Sequence, residues 1–126
     1  MEGLALDTIQ TDLKAKGVAT FSFAGFEIEA EEGEGKLRLR TAVFHGGDYI
    51  PPSVRRCLGG RRSLIAHDPQ TEIELWIDQE KFRVVLDYRV ERAVSAVFEE
   101  FIGVADEWRT LLDEYGQQDL IYVPVK

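Results

Sequence analysis

Cysteine is nearly missing from this 126-residue chain. Cys57 stands alone, so no internal disulfide can form, and a reducing, cytoplasmic setting is expected. Histidine is almost as scarce. His45 near Asp48, and His67 next to Asp68, each fall in a turn, where aspartate serves as a local hydrogen-bonding residue. Neither shows the helical spacing of a metal-binding pair, so no metal is expected. Long apolar runs are absent, which argues against a membrane-spanning helix. Residues 1–13 lack a basic stretch followed by an apolar one, so a secretory signal is not expected. Positive charge is in deficit, with 15 Lys and Arg against 23 Asp and Glu and a net charge of -8. Such a balance keeps a protein soluble and repels polyanions, so nucleic acid is not an expected partner.

Catalytic signatures are missing too. There is no Gly-x-Ser-x-Gly elbow, Walker motif or Gly-x-Gly-x-x-Gly turn. Ser63, His67 and Asp68 have the residue types of a nucleophilic triad. An adjacent His and Asp cannot easily line up in the relay of hydrogen bonds that a triad requires. No catalytic residue and no cofactor is expected, and the chain reads as a non-enzyme.

What is present is a clear order of periodic segments. Leu6, Ile9 and Leu13 form a narrow stripe, and Lys14, Lys16 and Gly17 supply a helix end, so a helix is expected over Leu4 to Lys16. Period-2 alternation follows in Val18–Ala24, Phe26–Glu32 and Lys36–Phe44. A turn centred on Gly33-Glu34 would set Glu31, Glu29 and Glu27 opposite Lys36, Arg38 and Arg40. The middle is irregular. Gly46-Gly47, Pro51-Pro52 and Gly59-Gly60 leave room for one or two helical turns over Ser53–Leu58, and a short strand is expected over Ser63–His67. A second hairpin alternates Ile73, Leu75 and Ile77 against Phe82, Val84, Leu86 and Tyr88. Turning at Gln79-Glu80, it would pair Asp78 with Lys81 and put Trp76 beside Arg83. A long amphipathic helix from Glu91 to Tyr115 carries Phe98, Phe101, Trp108 and Leu112 on its apolar face, the expected core. Gly116 is its expected stop and Leu120–Val125 a last extended segment. The expectation is one α+β domain over residues 1–126: an antiparallel sheet of five or six strands with a short first helix and a long last helix packed on it.

Several residues stand out against this frame. Arg55, Arg56, Arg61 and Arg62 form the one basic cluster and could meet a phosphate or an acidic partner, against the plainer readings of a solvated loop or of arginines paired with the acidic helix. Cys57 beside two arginines has the setting of a lowered thiol pKa, against the plainer reading of a small apolar plug. Trp76, flanked on its face by Glu74 and Asp78, is either a binding aromatic or a residue covered by a helix or second subunit.

The Leu4–Lys16 helix, the Val18–Phe44 meander and the segment Phe101-Ile102-Gly103-Val104-Ala105-Asp106-Glu107-Trp108-Arg109-Thr110-Leu111-Leu112 together resemble the type III secretion chaperones of the Tir-chaperone (CesT-like) family. The layout is also similar to the related YbjN-like group. The chain departs from the chaperones in one place: where they carry a substantial second helix that helps form the dimer, only Ser53–Leu58 is available. The resemblance implies a homodimer that holds an unfolded segment of a client protein, with no metal or nucleotide. Leu6, Ile9, Leu13, Phe21, Phe23 and Trp76 are the expected partner-binding residues. A small-ligand or anion-binding domain using the arginine loop 55–62 is the alternative.

Overall fold

Alternating apolar residues over residues 18–45 and 72–90 build the two halves of one sheet. A computed structural model describes residues 6–59, 61–64 and 69–121 of the chain. The elements run α1 (Leu6–Lys16), β1 (Val18–Phe23), β2 (Phe26–Gly33), β3 (Lys36–His45), α2 (Pro52–Leu58), β4 (Arg61–Leu64), β5 (Glu72–Asp78), β6 (Arg83–Val90) and α3 (Val94–Ile121). The six strands are antiparallel in the order β1-β2-β3-β6-β5-β4. The fold class is the expected one, α+β. Two meanders join where β3 pairs with β6, so β1 and β4 become the edges.

One face of the sheet is covered and the other is open. Ile28, Leu39, Leu75, Leu86 and Tyr88 point to the covered face and are fully buried, together with Phe98, Phe101 and Leu112 of α3. Burying a side chain of this size contributes about 1.5–3 kcal/mol, so this layer dominates the stability. The aromatic contacts are tilted or edge-on, with Tyr88 against Phe101 at 5.6 Å. Ile9 and Leu13 of α1 are 6% and 3% exposed and join the same core.

Both hairpin registers differ from expectation, each by two residues. In the first, Gly33 pairs with Lys36, Glu31 with Arg38 and Glu29 with Arg40. The turn is Glu34-Gly35, with φ of 54° and 77°. Two central residues at positive φ make a type I′ turn, whose twist matches the strands. In the second, Asp78 pairs with Arg83 and Trp76 with Val85, not with Arg83. The Asp78 carboxylate accepts from the backbone N–H of Glu80 at 3.1 Å and of Lys81 at 3.4 Å, and from Arg83 Nε at 3.0 Å. That widens the loop to residues 79–82. Alternation excludes a slip of one residue, because every side chain would change face. It is blind to a slip of two.

The last helix is also displaced. It starts at Val94 rather than Glu91 and runs through Gly116 to Ile121. A Cβ on Gly116 would sit 3.3 Å from Cε1 of Phe44, so the glycine provides close approach to the sheet instead of a stop. Leu120 and Ile121 are helical, and the rest of the expected Leu120–Val125 extended segment lies outside the described residues. Trp108, expected among the most buried residues, is only partly buried, and the Arg62 guanidinium of β4 lies over its indole.

Candidate functional site

The backbone of β1 offers the most distinctive surface. Glu32 donates its N–H to the carbonyl of Gly17 at 2.9 Å, and these two residues lie opposite each other in the ladder. Bonded and non-bonded pairs alternate in an antiparallel ladder. Ala19, Phe21 and Phe23 therefore direct their backbone groups into β2. Val18, Thr20 and Ser22 direct theirs outward, where no described strand pairs with them. Their side chains are exposed on the open face. The strand Val-Ala-Thr-Phe-Ser-Phe contains no charge and no proline.

The covered side of this edge is apolar. The rings of Phe21 and Phe23 lie 5.8 and 5.3 Å from that of Phe98 and are half-buried. The β1–β2 turn at Ala24-Gly25 is pinned from α3. Arg109 donates to the Ala24 carbonyl at 3.3 Å and lies over the Phe26 ring at 4.2 Å. Next to β1 on the open face runs a row from β2: Glu27, Glu29 and Glu31. Arg40 reaches Glu29 at 3.3 Å and Glu31 at 3.9 Å, whereas the Glu27 carboxylate accepts from the hydroxyl of Ser22 at 2.6 Å.

The open face holds a second feature. Trp76, Arg40 and Arg83, together with Thr20, Glu27 and Glu29 from beside the edge, line a shallow cavity of about 250 Å³. Both arginines are engaged, Arg83 by Asp78 at 3.0 Å and Arg40 by the β2 glutamates. Burial pushes the Asp78 carboxyl up, but Arg83 and the two backbone N–H donors outweigh it and hold the group below the usual carboxylate range. Farther along, Arg38 grips Asp87 with two bonds, Nε at 3.0 Å and Nη2 at 2.6 Å. Asp87 is 3% exposed, and this bond raises the Arg38 guanidinium above its ordinary value despite partial burial. This pair was not expected. Both residues fall on polar faces of their strands, but nothing in the chain announces that β3 lies beside β6.

The expected binding residues separate into distinct environments. Ile9 and Leu13 are buried in the core, which removes them from any partner surface in the folded chain. α1 spends its narrow stripe on its own sheet. Leu6 begins α1, and its side chain lies outside the described residues. Phe21 and Phe23 stand on β1, an edge of the described sheet. Trp76 is partly exposed on the open face. The four arginines do not converge. Arg55 reaches Gln79 at 3.4 Å, Arg56 reaches Ser53 at 3.1 Å and Arg61 reaches Glu74 at 3.2 Å. Arg62 donates to the Cys57 carbonyl at 3.3 Å and covers the Trp108 ring at 5.2 Å. Alternation along β4 sends Arg61 and Arg62 to opposite faces of the sheet.

Among the described residues, no group of three or more His, Cys, Asp or Glu is placed to hold a metal ion. His67 and Asp68 lie outside those residues, and His45 is exposed at the end of β3. No described helix is long and apolar enough to cross a membrane. No family model, curated protein or solved structure matches this chain.

Proposed function

We propose that this chain is a non-enzymatic protein-binding module that accepts an extended segment of a client protein as an added strand on β1, in the manner of a secretion chaperone. One observation carries the reading: a six-residue edge strand with outward backbone groups at Val18, Thr20 and Ser22, and no charge or proline to guard it. Natural sheets blunt exposed edges with lysine, proline, bulges or shortness, and an unguarded edge is a template for another chain. Backbone hydrogen bonds would supply affinity and the half-buried phenylalanines an apolar footing. A homodimer belongs to the same reading, with the open face around Trp76 as the surface a second copy would cover. Light scattering showing a monomer up to millimolar concentration would remove that part.

The edge is tested by selecting random ten-residue peptides against the protein and mapping their footprint by amide exchange. Bound peptides should protect Val18, Thr20 and Ser22. Thr20→Pro removes an outward N–H that no ladder bond uses, so it should abolish capture and leave the fold intact. Peptides that bind Thr20→Pro as well as the parent protein, or that protect residues of the arginine loop instead, would sink the proposal and favour the anion- or ligand-binding alternative.

A further inference from the structure

The two sides of the β1 edge differ in chemistry, and a strand laid against it would meet both at once. On the covered side its side chains would lie beside Ala19, Phe21 and Phe23, over the ring of Phe98. On the open side they would lie beside Val18, Thr20 and Ser22, which are small or of medium size and exposed. Beyond these stands the row of Glu27, Glu29 and Glu31. Arg40 forms ion pairs with Glu29 and Glu31, and Arg38, opposite Glu31 in the ladder, is bonded to the buried Asp87. Counting Asp87 with the row, four carboxylates face the two guanidinium groups of Arg38 and Arg40, which leaves an excess of negative charge. Neighbouring strands are about 4.8 Å apart, so the row lies about 10 Å from a docked strand. A lysine or arginine side chain lying across Thr20 and Ser22 covers part of that gap, and a glutamate reaching back over β1, as Glu27 does toward Ser22, covers the rest.

We infer that the β1 edge selects an extended segment in which apolar residues alternate with lysine or arginine, the apolar set facing Phe21 and Phe23 and the basic set facing the β2 glutamates. The inference rests on the strand-addition reading and adds the chemistry of the occupant. A second copy of this chain fits less well, because pairing β1 with β1 would set one acidic row on each side of the joint. Complementary charge across the open face would speed encounter and fix register, since a strand slipped by one residue would turn its basic residues onto the phenylalanines.

The test uses three fluorescently labelled nine-residue peptides read by anisotropy. One alternates Lys with Val and Phe, a second replaces each Lys with Glu, and a third has the composition of the first with its lysines in one block. The alternating basic peptide should bind at least tenfold more tightly than either of the others. Glu27→Gln combined with Glu29→Gln, both exposed, should shrink the preference for Lys over Glu at least threefold. Equal binding of the Lys and Glu peptides, both lost on Thr20→Pro, would leave strand addition standing and overturn the inference about charge. Equal binding of the alternating and blocked peptides would show nonspecific attraction and overturn it as well. If the basic peptide binds Thr20→Pro unchanged, or if the protein forms a dimer that Thr20→Pro dissociates, the edge is not a site for such a segment and the inference falls.

Discussion

The sheet has two ends, and they are built on different terms. β1 is six residues long, without charge, and sits on fully buried Phe98. β4 is four residues long, opens with two exposed arginines, and lies near a Trp108 that is only partly buried. Arg61 is tied back to Glu74, and Arg62 to Cys57 and the indole. Shortness and positive charge are the usual means of keeping a sheet edge from pairing with a stranger. One edge has both and the other has neither. The contrast teaches where to look for function in a chain without a catalytic signature: at the place where ordinary protection has been left off.

The comparison is most exposed to the residues beneath each edge. Phe98→Ala removes a fully buried ring that supports Phe21 and Phe23, and should cost about 3–5 kcal/mol in urea denaturation. Trp108→Ala removes a larger side chain that is only partly buried, and should cost less, about 1–2 kcal/mol. A Trp108→Ala loss equal to that of Phe98→Ala would mean that β4, not β1, has the firmer foundation.

A stress shared by both edges sharpens the contrast in another way. Tyr88 sits on the central strand β6, fully buried. Burial first, and then Glu100, pushes its phenol from 10.0 up to about 12. The folded state therefore favours the neutral form. The stabilisation is complete below pH 10 and is lost as pH rises through 12, at about 1.4 kcal/mol per unit, for a total of about 2–3 kcal/mol. Tyr88→Phe should flatten stability between pH 10 and 12. Because the loss is global, amides in β1 and β4 should lose protection together in that window. Separate responses of the two edges would show that they open independently of the core.

Much of this architecture is legible in the residues. Alternation marks β1, β2, β3, β5 and β6 and assigns their faces, and the spacing of Phe98, Phe101 and Leu112 marks the buried side of α3. β4 is different: it begins at Arg61, two residues before the expected Ser63–His67 segment, of which only Ser63 and Leu64 lie in the strand and the rest falls outside the described residues. Two kinds of fact are not. Register within a hairpin is one: with parity fixed, Gly33-Glu34 and Glu34-Gly35 are both good turns, and the choice depends on twist. Strand order is the other. The β3–β6 pairing, and with it the Arg38–Asp87 bond and the identity of the edges, arises from contacts between segments some fifty residues apart. The candidate site was half visible. Phe21 and Phe23 follow from period and composition, but the outward direction of Thr20 and Ser22 needs the ladder. The arginine cluster misleads because nearness in sequence is not convergence in space. Four successive cations on a short helix and a strand point to four different partners.

The smallest expected effects come from the two guanidinium covers, and they bear directly on whether the edges are separate. Arg109 covers Phe26 and holds the Ala24 carbonyl at the β1 hairpin, and it is paired with Asp106 at 2.6 Å. Arg62 covers Trp108 near β4. Both side chains reach solvent, so each cation–π contact contributes only about 0.5–1 kcal/mol. Arg109→Ala also frees one turn carbonyl, and that group can turn to water. Its cost should be about 1 kcal/mol, felt as faster amide exchange in β1 and the start of β2. Arg62→Ala should speed exchange in β4 by less and leave β1 untouched. The two substitutions act on opposite edges through the same helix, since Arg109 and Trp108 are neighbours on α3. If Arg62→Ala also loosened β1, α3 would be transmitting strain from one edge to the other. Exchange rates that change only at the nearer edge would establish that β1 can be opened, paired or blocked without disturbing its guarded counterpart.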